Sequence, residues 1–141
     1  MPQHIKSKIT GEVIHIIQRF SELQAAIVSP HRDDIVDAKY SLQVATIKQD
    51  NGKTYRPHMH VHNPRFNHQT CESWVVLSGA VQVSFYDIDG SLLFETLLCE
   101  RDASITLQGG HNYEILEDNT IVLEYKSGPF NKFIEDKKFI Q

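Results

Sequence analysis

Two histidines one residue apart, His58 and His60, stand in a stretch, RPHMHVHNPRFNH, that carries four histidines in thirteen residues. On an extended strand the side chains at i and i+2 share a face, so this pair can aim two imidazoles at one ion. Glu72 follows downstream, and His111 stands directly after Gly109 and Gly110. Three imidazoles and a carboxylate make a ligand set for one divalent transition metal: Zn, Fe, Mn, Ni or Co. The expected metal ligands are therefore His58, His60, Glu72 and His111. Glycines let the backbone turn sharply, which would swing His111 toward the other three. His62 has the parity of His58 and His60, but Asn63-Pro64 ends or bends a strand there. His62, His68 and Gln69 stay open as replacements for Glu72. Met59 points to the opposite face and is expected in the core.

Around this set lie residues that could meet a substrate. Arg56 has the parity of His58, and a guanidinium fork matches a carboxylate or phosphate. Arg56 and Tyr113 are the candidate substrate-binding residues and the candidate catalytic ones. Tyr55 and Tyr113 could also serve as strand-packing aromatics with a wet end. An open metal at such a site polarises a carbonyl or activates water. Cys71 should face away from the metal as a structural thiol. His4, His15 and His31 stand alone and read as ordinary surface or core residues.

The elements that must position these groups are short strands. Val81, Val83 and Phe85 alternate with Gln82, Ser84 and Tyr86, and Ile121, Leu123 and Tyr125 alternate with Val122, Glu124 and Lys126. Further strands are expected at 12–17, 42–48, 54–61, 72–77, 91–98, 103–107 and 112–116. Turn signals punctuate them at Asn51-Gly52, Ser78-Gly79, Asp89-Gly90, Gly109-Gly110 and Asp118-Asn119. Many short strands at regular spacing indicate an all-β sandwich or barrel. A single helix is expected over 21–28, with Ser21 as its cap and Pro30 beyond it. Trp74 and Phe85 are expected in the core. Residues 128–141 leave the sheet, and Phe130, Phe133, Ile134, Phe139 and Ile140 are too apolar for a free tail.

Composition narrows the function classes. The chain has 141 residues, 40% hydrophobic and 23% charged, which suits one compact domain. Net charge is −4 and no Lys/Arg stripe occurs, so nucleic acid and anionic membranes are not expected partners. No apolar run approaches the ~20 residues of a membrane span, and the first twenty residues lack a signal-peptide pattern. Cys71 and Cys99 form no CxxC and no disulfide framework. A cytoplasmic protein with a small-molecule substrate is expected. The apolar tail and strand-like first segment suggest a homodimer with covered edges.

His58-x-His60, Glu72 with six residues to Gly79, and the Gly-Gly-His111 corner together resemble the cupin superfamily. The spacer from His60 to Glu72 is longer than the usual first cupin motif, and Ser104 to His111 lacks the second motif's proline. Arg56-Pro57-His58, the 85–90 hairpin and the closing 123–130 run are similar to small cupins of the WbuC type, over roughly 42–140. The resemblance implies a double-stranded β-helix, a jelly-roll-like antiparallel β-barrel with a metal in one mouth. It would divide the chain into an extension over 1–40, a barrel over 41–127 and a tail over 128–141. It also implies surface-polysaccharide metabolism, with an activated sugar as substrate and isomerase, epimerase or oxygenase chemistry. Two alternatives stay open: a non-catalytic sugar-binding module, and a metal-free epimerase using His111 and Tyr113.

Overall fold

A computed structural model describes residues 1–26, 31–65, 69–129 and 137–140. The expected ligand alternative His68, the tail residues Phe130, Phe133 and Ile134, and the end of the expected 21–28 helix lie outside these residues. The described chain is nearly all β. Ten strands occur in the order β1 (Gln3–Lys6), β2 (Val13–Gln18), β3 (His31–Asp34), β4 (Ala45–Lys48), β5 (Glu72–Ser78), β6 (Val81–Tyr86), β7 (Leu92–Leu98), β8 (Ala103–Thr106), β9 (Gly110–Ile115) and β10 (Ile121–Lys126). One helix, α1 (Phe20–Ala26), follows β2.

The strands form a five-stranded sheet, β1-β2-β8-β5-β10, a three-stranded sheet, β7-β6-β9, and a separate β3-β4 ribbon. Every described pairing is antiparallel. Among the described residues the sheets stay open and do not close into the expected barrel. Ile5, Ile17 and Val76 of the larger sheet pack with Val81, Val83, Phe85 and Leu98 of the smaller one, so the main core lies between the two. Fully burying such a side chain contributes about 1.5–3 kcal/mol. A second cluster covers the outer face, where Ile16 and Ile105 meet Ile35, Val36 and the partly buried Tyr40, Leu42 and Val44.

Two expectations are corrected. The 54–61 segment is no strand: 53–65 carries no regular structure, and Tyr55, Met59 and Val61 are exposed. Its alternation is of strand type, but Pro57 offers no N–H to a ladder, and no apolar layer covers either face. Met59 is thus not a core residue. Within the expected 1–40 extension, β1 and β2 are members of the larger sheet, and β2 pairs with β8. The run Ile14 to Gln18 is buried at every position, the pattern of a strand covered on both faces. The helix cap also differs. Leu23 N–H donates to the Arg19 carbonyl, and the Asp102 carboxylate accepts from Phe20 N–H at 3.0 Å while pairing with Arg19 at 2.7 Å. Arg19 thus stands at the cap position, Ser21 lies inside the first turn, and Asp102 satisfies the free Phe20 N–H.

The Asp89-Gly90 hairpin joins β6 to β7 as expected, with Gly90 at φ +87°. Gly109, before β9, also has positive φ, +75°. A Cβ there would lie 2.3 Å from the Tyr86 carbonyl oxygen, so both the conformation and the close approach require glycine.

Candidate functional site

Strand register assembles the site. On the inner face of the larger sheet, His15 of β2 pairs with Thr106 of β8, Thr106 with Glu72 of β5, and Glu72 with Lys126 of β10. Four polar side chains thus form one row across four strands. Two residues along, the next row reads Ile17, Ser104, Trp74 and Glu124. The opposing sheet contributes His111 and Tyr113 from β9, which pair with the buried core residues Phe85 and Val83 and share their face. Being i and i+2 on one strand, His111 meets the first row and Tyr113 the second.

The first row is joined by hydrogen bonds. His111 Nε2 lies 3.1 Å from Glu72 Oε1, a contact that needs a proton between ring nitrogen and carboxyl oxygen. His111 Nδ1 lies 3.1 Å from Thr106 Oγ1, and Thr106 Oγ1 lies 3.2 Å from His15 Nδ1. His15 Nε2 donates to the Tyr86 carbonyl at 2.9 Å, and its ring packs 4.5 Å from Phe85. Glu72 and His111 are mostly covered, with side chains 10% and 24% exposed. The His111 hydrogen bond, opposed by burial, holds the Glu72 carboxyl below the usual carboxylate range. Burial dominates at His15, whose pKa falls from 6.5 to about 4, so the ring is neutral near pH 7.

The second row supplies a stacked aromatic pair. Tyr113 stacks on Trp74 with ring centroids 3.9 Å apart and planes 6° from parallel. Trp74 Nε1 is 3.2 Å from both Glu72 Oε1 and Glu124 Oε2. Tyr113 Oη bonds Ser104 Oγ at 2.9 Å, and burial pushes its hydroxyl above the ordinary tyrosine value. A hydroxyl so engaged is poorly suited to exchange protons near pH 7, so Tyr113 is better placed as wall than as acid or base.

Glu72, Thr106 and Lys126 with His111, and Trp74 and Glu124 with Tyr113, line a cavity of about 730 Å³, whose wall also includes Lys137, Lys138, Phe139 and Ile140. Residues 137–140 thus form part of its wall. Ile140 packs over Gly110, where a Cβ would lie 2.4 Å from Ile140 Cδ1.

The structure joins two of the four expected metal ligands, Glu72 and His111. His58 and His60 lie elsewhere, in the exposed 53–65 stretch, with rings 5.3 Å apart and His58 Nδ1 2.9 Å from the Arg56 carbonyl. Among the described residues, no three His, Cys, Asp or Glu side chains gather as a metal-binding group. Glu72 and His111 aim at each other, and among the described residues no third donor joins them. Arg56 and His62 are exposed in the same stretch, and Arg56 does not line the cavity. Trp74, expected in the core, is half-buried at the site, while Phe85 is fully buried. Cys71 is buried in the outer-face cluster, away from the inner row.

Sequence reasoning missed His15 and Thr106. The signal for His15 was an imidazole set within the apolar run VIHII, where a buried polar ring requires partners. Thr106 gave no such signal.

No protein-family model matches the chain, and no curated protein and no solved structure matches it. No helix among the described residues is long and apolar enough to cross a membrane.

Proposed function

We propose that this is a cupin-like enzyme whose Glu72–His111 pair performs acid–base chemistry on a small polar metabolite. The observation that carries the reading is the 3.1 Å Glu72–His111 contact on the wall of the 730 Å³ cavity. A carboxylate hydrogen-bonded to an imidazole is a group that can take and return a proton. Trp74 and Tyr113 add aromatic surface to the cavity lining, of the kind that packs against a sugar or a base. Lys126, Lys137 and Lys138 favour an anionic group at the mouth. An activated sugar combines these features, and epimerisation or isomerisation at a carbon next to a carbonyl is the reaction class. A cytoplasmic homodimer belongs to the same reading. The exposed Ile121, Leu123 and Tyr125 on edge strand β10 support it as apolar surface available to a second copy.

The test is deuterium incorporation from solvent into sugar phosphates and nucleotide sugars, followed by NMR with wild type, Glu72→Gln and His111→Asn. Exchange in wild type and its loss in both variants supports the reading. Saturable binding without exchange or turnover would leave a sugar-binding module, and neither binding nor exchange would overturn the site.

The metal-dependent isomerase, epimerase or oxygenase is the second reading, favoured by the convergence of Glu72 and His111. It requires His58 and His60 to join them at the mouth. Metal analysis of untagged protein, followed by titration with Zn, Fe, Mn, Ni and Co, tests it. Stoichiometric binding lost in both His58→Ala and Glu72→Ala supports a shared ion, and no binding at micromolar metal removes it.

A further inference from the structure

We propose that His15 is a positioning residue, which acts through Thr106 to fix His111 as an Nδ1–H donor and to present His111 Nε2 to Glu72 and the cavity. The inference rests on reading the Glu72–His111 pair as the working site, but it holds whether Nε2 handles a proton or a metal.

A carbonyl oxygen only accepts, so the 2.9 Å contact with Tyr86 makes His15 Nε2 the protonated nitrogen. His15 is neutral near pH 7, its pKa lowered to about 4 chiefly by burial. Its Nδ1 is therefore bare and must accept a hydrogen bond. The polar atom beside it is Thr106 Oγ1, at 3.2 Å. Thr106 has one hydroxyl proton, and donating it to His15 leaves Oγ1 as the acceptor for His111 Nδ1–H at 3.1 Å. The opposite arrangement would send the Thr106 proton to His111 and leave His15 Nδ1 against an oxygen lone pair.

Burial decides between the two. His15 is 0% exposed, so water cannot serve an unpaired nitrogen there. At His111, whose side chain is 24% exposed, the Glu72 carboxylate accepts from Nε2–H, so an Nδ1–H toward Thr106 makes the ring an imidazolium beside that carboxylate. The prior claim on the single hydroxyl proton belongs to His15. The packing holds that ring in place: Phe85 lies 4.5 Å away, and a Cβ at Gly109 would come within 3.2 Å of His15 Nε2.

Long-range ¹H–¹⁵N correlation spectra of the full chain at pH 7.5 test this without any assay of activity. In wild type, His15 should show the Nε2–H tautomer and His111 a protonated Nδ1. His15→Phe keeps a ring against Phe85 but releases the Thr106 proton. There the His111 Nδ1 resonance should move to its unprotonated position. Thr106→Val should cause the same loss, and Thr106→Ser should restore the wild-type pattern. A wild-type His15 protonated at Nδ1, a wild-type His111 with bare Nδ1, or an unchanged His111 pattern in His15→Phe or Thr106→Val would each overturn the proposal. If a variant fails to fold, the wild-type tautomers still decide. Failure of the deuterium-exchange test with these tautomers intact would remove the enzymatic reading and leave this one standing.

Discussion

The histidine-dense 56–62 stretch and the sparse inner-face row share residue types but differ in nearly everything that matters to chemistry. In the first, His58, His60 and His62 crowd into five residues, yet they stand exposed on chain with no regular structure. In the second, His15, Glu72, Thr106 and His111 are scattered over almost a hundred positions, yet four strands place them within hydrogen-bond reach. Parity on a strand aligns side chains only when the strand is paired and held. Antiparallel register does this for the row, where cross-strand partners stand about 5 Å apart. Burial then gives each hydrogen bond its consequence, because an unmet partner cannot turn to water.

The row is most sensitive at its anchor, the turn that holds His15. Gly109→Ala adds a Cβ 2.3 Å from the Tyr86 carbonyl that holds His15, at φ +75°. It should cost about 4 kcal/mol, measured by urea unfolding. A cost under ~1 kcal/mol would mean that the turn yields and the row is loosely held.

Acid tests the same anchor. The folded value of His15, about 4, lies below its ordinary 6.5. Between these values the unfolded chain binds the extra proton, so stability is fully present above pH 6.5 and is lost as pH falls toward 4. The loss should reach roughly 3 kcal/mol and be flattened in His15→Phe. Glu72 adds to it in the same direction, since its depressed carboxyl contributes stability that disappears as pH falls through its folded value. A profile identical in wild type and His15→Phe would show that His15 is not buried neutral.

Glu72→Gln keeps the shape of the side chain and removes its charge. It should lower solvent exchange into a bound sugar by about 100-fold, the usual scale of a lost acid–base group. The smallest effect belongs to the crowded stretch. His58→Ala and His60→Ala should each change stability by less than about 0.5 kcal/mol, as exposed positions do, and should leave exchange intact. A large loss of exchange in either variant would bring that stretch back to the site and favour the metal reading.

Much of the fold was legible in local pattern. The period-two runs at 81–86 and 121–126 are strands, and Asp89-Gly90 makes its hairpin, because alternation and turn chemistry act over a few residues. The same rule failed at 54–61, where alternation was present but neither a partner strand nor an apolar layer was. β1 and β3 were missed because Gln3–Lys6 and His31–Asp34 are short and polar, and only pairing with β2 and β4 makes them strands.

Residue types and spacing alone were enough for an all-β chain, for its turns, and for Glu72 and His111 as groups capable of chemistry. Local periodicity and ionisable side chains are properties of the chain itself. Tertiary structure alone decided that these two face each other, that Thr106 and His15 stand behind them, and that His58 and His60 stand apart in this arrangement. Register across four strands and the burial of one imidazole depend on contacts between distant segments, which no local pattern encodes.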